Sequence, residues 1–125
     1  MNHMNVMWYV GKFDEATWNL LELVGLTPSS LRDTGRCMVA VKQETAYKKE
    51  LLAGDTITIR SGILEVREKV IRFFHEMTHN ESGQISAVTV LTGVQIDAKT
   101  RNSCPMREDV LERARAFVTG YHPQI

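Results

Sequence analysis

The chain has 125 residues, of which 15 are basic and 15 acidic, with 43% hydrophobic and 24% charged content. That length suits one domain able to bury about two thirds of its extended surface; the hydrophobic content argues against a disordered chain, and the cancelled charge gives no electrostatic argument for nucleic acid or an anionic membrane as the main partner, with a local basic patch left open. Two distant cysteines, Cys37 and Cys104, fit neither a disulfide framework nor paired metal knuckles; with no signal-like start and no apolar run of spanning length, the expected setting is the cytoplasm with reduced thiols.

From Val6 the apolar residues fall at Val10, Phe13, Leu20 and Val24, with Thr17 in the intermediate turn, which predicts one buried face of a helix about 28 Å long. Asn5 is the expected N-cap and Gly25 the expected stop. Met7, Trp18 and Leu21 widen the apolar surface, so protein is expected on more than one side of this helix. Thr27 and Pro28 read as the cap and first position of a short second helix that ends at Gly35.

Beyond Gly35 the period changes to two. Strands are expected over Met38 to Tyr47, Thr56 to Val66, Val70 to His79 and Gln84 to Ile96, with bends at Gly54-Asp55, Arg67-Glu68 and Asn80 to Gly83. Ile57, Ile59 and Ile63 alternate on one face, as do Ile71, Phe73 and Met77, and Val88, Val90, Val94 and Ile96 continue the pattern. One apolar sheet face is expected, with the long helix as the only element able to cover it. After a turn over Asp97 to Asn102, a last helix is expected from Arg107 to about Val118, its apolar face formed by Val110, Leu111, Ala114 and Phe117. Gly120 and Pro123 mark a loose tail. The expected class is α+β, one domain over residues 1–125, with strand edges that a partner subunit could cover.

The densest polar group, Asn2, His3 and Asn5, immediately precedes the long helix. A helix start offers backbone N–H groups and the positive end of the dipole, which suits a polarised carbonyl or developing oxyanion near Met7 to Tyr9; the plainer alternative is simple capping. Asp14 and Glu15 are carboxylates inside the helix. Neighbouring helical residues diverge by about 100°, so only one of them turns easily toward the sheet or a partner, and Glu15 is the preferred candidate base. Lys42, Lys48, Lys49, Arg67, Lys69 and Arg72 supply cations for the phosphates of a nucleotide-bearing substrate, or for solubility alone. His75 and His79 share a strand face at a separation too long for one common metal ion, and no metal is assigned. Cys37 has no local histidine base, and Asp55 is read as a turn residue.

Asn2-His3-Met4-Asn5, Trp8-Tyr9, Phe13-Asp14-Glu15-Ala16-Thr17, Tyr47-Lys48-Lys49 and Gly54-Asp55, in that order, resemble the hot-dog-fold acyl-CoA thioesterases, most closely the 4-hydroxybenzoyl-CoA thioesterase-like branch that includes betainyl-CoA thioesterase-like proteins. The resemblance runs from His3 to about Pro105. It implies a long helix wrapped by a curved antiparallel sheet, assembly as a homodimer or homotetramer, and hydrolysis of an acyl-CoA thioester, with CoA as part of the substrate. It also implies that His3 and Asn5 shape the catalytic end, that amides near Trp8 and Tyr9 polarise the carbonyl, and that Tyr47, Lys48 and Lys49 lie toward the acyl or CoA channel. The acidic residue that opens the family signature would fall immediately before Met1, and Asn2 stands at the usual glycine; the resemblance then implies either that this acid lies upstream of Met1 or, for a shortened member that starts at Met1, that Glu15 or a partner's residue serves as base or catalysis is weak or absent. A non-catalytic acyl-CoA or acyl-carrier binding protein, or a bare dimeric scaffold, is the competing reading.

Overall fold

The structure, a computed structural model, describes residues 6–125. Its elements in chain order are α1 (Val6–Leu23), α2 (Pro28–Thr34), β1 (Arg36–Tyr47), β2 (Ile57–Val66), β3 (Val70–His79), β4 (Ile85–Asp97) and α3 (Glu108–Ala116). The strands form one antiparallel sheet in the order β1-β4-β3-β2. The two tight hairpins make β2, β3 and β4 sequential neighbours, whereas β1 crosses over to pair with β4 and lies at the other edge. This is the expected α+β arrangement, a hot-dog fold with α1 held against a curved sheet.

Local chemistry accounts for the breaks. Thr27 caps α2 by accepting the Ser30 N–H at 3.2 Å while Ser30 Oγ accepts the Thr27 N–H at 3.0 Å, a reciprocal box that satisfies two otherwise orphaned donors. Gly35 ends the helix at φ 66°, a left-handed conformation that favours glycine.

The buried face of α1 is rotated from the expected stripe. Tyr9, Phe13, Leu20 and Leu21 are buried, with Val24 just beyond the helix, whereas Val6 and Val10 are exposed together with Met7, Trp8 and Trp18. Apolar residues occupy most of this helix's circumference, so spacing permits two stripes, and the sheet takes the one through Tyr9. That ring packs with Leu51 and Met77.

Two apolar clusters fill the space beneath the helices. The larger gathers Leu20, Leu21, Ile63, Ile71, Phe73 and Leu91, closed over by Leu31 of α2 and by Val110, Leu111 and Ala114 of α3. The expectation that the long helix alone covers the sheet is therefore corrected: both short helices share that role. The smaller cluster contains Tyr9, Phe13, Leu51, Met77 and Ala87. Between the two runs a row of polar residues, Ser61, His75, Thr89 and Thr45, facing one another across all four strands.

The valines of β4 are also corrected. Residues paired across antiparallel strands share a face, and Val88 and Val90 lie opposite Glu76 and Phe74, on the face turned away from α1. Leu91 and Ala87, opposite Phe73 and Met77, are the ones that face the helix. Period two says which residues share a face, not which face the core takes.

α3 stops at Ala116, and Phe117, expected on its apolar face, is an exposed C-cap. The tail after it is held, not loose. Thr119 N–H donates to the Ile63 carbonyl at 2.9 Å, the Tyr121 ring packs 5.4 Å from Phe74, and its hydroxyl donates to the buried Glu76, which Arg60 also pairs at 2.9 Å. Gly62 makes room for this packing, since a Cβ there would stand 2.6 Å from the Phe74 ring.

Candidate functional site

One end of the sheet collects Tyr9, Tyr47, Lys48 and Lys49 among the residues that the sequence singles out. His3 and Asn5 lie outside the described residues, and α1 is described from Val6. Tyr9, the fourth described residue of α1, is a core side chain: burial raises its phenol above the ordinary value, opposed by a backbone hydrogen bond from Leu51. Its ring meets Tyr47 edge-on at 5.1 Å. Trp8 is exposed beside it.

The chain leaves β1 through Lys48 and Lys49, whose N–H groups both donate to the Ser86 carbonyl at 2.8 and 3.1 Å. The Lys48 ammonium donates to the Gln124 carbonyl of the tail. Arg67 and Lys69 occupy the β2–β3 turn, at the opposite end of the strands, where Arg67 pairs with Glu65 at 2.7 Å. At about 3.3 Å per residue, a ten-residue strand holds these two groups of cations on the order of 30 Å apart. The fold therefore joins Tyr47, Lys48 and Lys49 to the opening of α1 and does not bring Arg67 and Lys69 to them.

Asp55 behaves as the expected turn residue. Its carboxylate accepts the Leu52 N–H at 2.8 Å and lies 3.4 Å from His79 Nε2, which together hold it below the usual carboxylate range, the Leu52 bond foremost. Glu81 joins this pair, with candidate donor atoms of all three residues within 4.8 Å of one another. Ser82 N–H donates to His79 Nδ1 at 3.2 Å, which leaves the ring proton on Nε2, toward Asp55. The arrangement ties the loop before β2 to the β3–β4 hairpin. His75 and His79 have separate partners, as strand spacing requires.

α1 divides the surface beside it into two grooves. The groove toward β1, about 220 Å³, is lined by Val10, Phe13, Asp14, Thr17, Trp18 and Gln43 among others. The groove toward β2 carries Lys12, Glu15, Ile59 and Ser61. Asp14 and Glu15 are thus separated by the helical rotation. Glu15 is exposed and sits 3.6 Å from Lys12, whereas Asp14 shares its apolar groove with the Thr17 hydroxyl one turn on.

A buried hydrogen-bonded bridge links the two grooves. His75, 0% exposed, contacts Thr17 Oγ1 through Nε2 at 2.8 Å and Ser61 Oγ through Nδ1 at 2.6 Å. Burial pushes its pKa down to about 4, so the ring is neutral near pH 7. Sequence reading did not find this bridge. Its one sequence signal is the hairpin: folding the chain about Arg67 to Lys69 sets Ser61 opposite His75.

Comparison with known proteins follows the same lines. The model of the family described as the Thioesterase-like superfamily matches residues 1–114. A search of curated sequences finds no match. Among solved structures, the chain is similar to a hypothetical protein of Staphylococcus aureus in complex with CoA, at 21% identity and TM-score 0.89 over 99% of this chain and 80% of that one. It is similar to a gentisyl-coenzyme A thioesterase at 24% identity and TM-score 0.76, over 91% and 88% of the two chains. A probable thioesterase from Escherichia coli matches at 22% identity and TM-score 0.74, over 94% and 88%.

Proposed function

We infer the chemistry from one premise: the chain belongs to the thioesterase-like superfamily. Its activity is hydrolysis of acyl-CoA thioesters to a carboxylic acid and free CoA, in which CoA is part of the substrate and not a separate cofactor. The observation that carries our assignment of the site is the α1–β1 groove, apolar enough for an acyl group and holding a carboxylate, Asp14, beside a hydroxyl, Thr17.

In our reading the acyl group lies in that groove and the thioester carbonyl points at the first-turn amides of α1, near Trp8 and Tyr9, whose dipole end favours the developing negative charge. Asp14 takes a proton from water as the water oxygen bonds to the carbonyl carbon. When the tetrahedral intermediate collapses, the C–S bond breaks and the proton passes to the departing sulfur. Asp14 is preferred to Glu15 because Glu15 stands in the other groove beside Lys12. Tyr47, Lys48 and Lys49 are the proposed contacts for CoA; His3 and Asn5 are proposed to complete the catalytic end.

We also propose self-association through β1. It is a sheet edge, and Val41 on it and Val10 and Trp18 beside it are exposed apolar side chains. The larger cluster, which draws residues from Leu20 through Ala114, supports treating the chain as one domain. Among the described residues no helix is long and apolar enough to cross a membrane, and the unpaired Cys37 and Cys104 suit a cytoplasmic setting.

The test is time-resolved release of free thiol from short, medium, branched, aromatic and betainyl CoA thioesters, with the oligomeric state measured in the same sample. Turnover that Asp14→Asn abolishes and Glu15→Gln leaves intact supports the assignment. Binding of acyl-CoA without release of thiol replaces it with a binding role.

A further inference from the structure

The row of polar residues beneath α1 separates the two apolar clusters, and burial of such groups is costly unless each is hydrogen-bonded. Among the described residues every buried side-chain nitrogen and oxygen has a partner. The hydrogens can be assigned from the partners. Thr17 Oγ1 has one proton and donates it to the Phe13 carbonyl at 3.0 Å, so toward His75 it acts as acceptor. The proton of the imidazole is therefore on Nε2, and Nδ1 accepts from the Ser61 hydroxyl at 2.6 Å.

The ring has little freedom to turn. Phe13 stacks on it at 6.0 Å with 14° between planes, and Phe73 meets it edge-on at 5.5 Å. Its neutral state suits this role: burial keeps a second proton off the ring, so Nδ1 stays an acceptor at working pH. With its own proton on Phe13 and one lone pair on His75, Thr17 has a second lone pair left for the groove that it lines together with Asp14. Asp14 and Thr17 are three apart on the helix and so are surface neighbours.

We propose that His75 is a positioning residue for thioester hydrolysis: anchored by Ser61 on one side, it holds Thr17 as a fixed acceptor, so that Thr17 and Asp14 each take one hydrogen of the attacking water and aim its oxygen at the carbonyl. The inference rests on the assignment of Asp14 above. Thr17 transfers no proton in this scheme. Asp14 takes the one that leaves, and Thr17 restricts the orientation of the water, the kind of constraint whose loss slows chemistry without weakening substrate binding.

The experiment measures kcat, KM and thermal unfolding of Thr17→Val, Thr17→Ser, His75→Leu, His75→Gln, the Thr17→Val/His75→Leu double variant and Asp14→Asn, on the best substrate of the thiol-release panel. Thr17→Val and His75→Leu are each expected to lower kcat by on the order of tenfold to a hundredfold with KM changed by less than about threefold. Thr17→Ser keeps the acceptor and His75→Gln can donate to Thr17 and accept from Ser61, so both are expected to recover most of the rate. The double variant is expected to be no slower than the worse single one, because His75 acts through Thr17. A folded Thr17→Val with unchanged kcat overturns the proposal, as do losses that multiply in the double variant. Should His75→Leu fail to fold, Thr17→Val and the His75→Gln rescue decide it. Full activity in Asp14→Asn, or no turnover by the unaltered chain, removes the assignment beneath; an inactive Asp14→Asn beside an unaffected Thr17→Val removes the positioning role alone.

Discussion

The two ends of the interior beneath α1 are built differently. Toward the C-terminal end of the helix the larger apolar cluster is covered by α2 and α3, with Gln95 buried beside it and donating to the Pro105 carbonyl. Toward its N-terminal end the apolar cluster is smaller and is bounded by the row from Ser61 to Thr45, and the α1–β1 groove runs past that row, from Phe13 to Phe73 and Leu91 of the larger cluster. The first end supplies stability through the apolar area buried under three helices. The second keeps oriented polar groups near water and substrate, which a close-packed apolar core does not provide.

The largest expected effect breaks the closed end. Leu111→Ala should lower unfolding stability by about 2–5 kcal/mol through the cavity left behind, read by denaturant titration, with turnover per folded molecule little changed. At the open end the pattern reverses. Asp14→Asn should cut kcat by about 10²–10⁴-fold while its melting temperature stays close to that of the parent, and Glu15→Gln should leave kcat within about twofold of the parent. Equal losses from both carboxylate variants would remove the distinction between the two grooves.

Acid should also act on the open end. The native His75 imidazole takes a proton only near pH 4, whereas the unfolded chain's does so near 6.5. Between those values the unfolded state binds more protons, so stability falls as pH drops through that window, by up to about 3 kcal/mol, and this contribution is fully present above pH 7. Denaturant titrations at pH 7, 6, 5 and 4 should show that loss in the parent and a flatter profile in His75→Gln. A parent profile that is flat over this range would mean that the ring is not buried as a neutral group. The smallest effect probes the cap that orders α2 over the closed end: Thr27→Ala should cost about 1 kcal/mol, visible as a lower melting temperature at unchanged kcat.

Much of the architecture is legible in the sequence because it depends on local signals. The strand boundaries follow the change of period after Gly35, and α2 follows from Thr27, Pro28 and Gly35. The candidate site is less so. Tyr47, Lys48 and Lys49 do share an end of the sheet with the start of α1, but Arg67 and Lys69, equally plausible as isolated cations, are held at the other end by the length of β2. Asp14 and Glu15 cannot be ranked without knowing which groove each enters.

What the sequence by itself determined is the order and type of the elements, the pairing of hairpin neighbours and, through its ordered motifs, the family. These follow from backbone geometry and from repeats of about 3.6 and two residues, which are properties of short segments. Only the tertiary structure decided which helical stripe meets the sheet, that the valines of β4 turn away from α1, that α3 helps close the core, and that His75 joins Thr17 to Ser61. Each of these choices sets one apolar surface or hydrogen-bonding partner against another remote in the chain. The outcome depends on which packing excludes most water while leaving no polar group unpaired, and no local window of sequence contains that comparison.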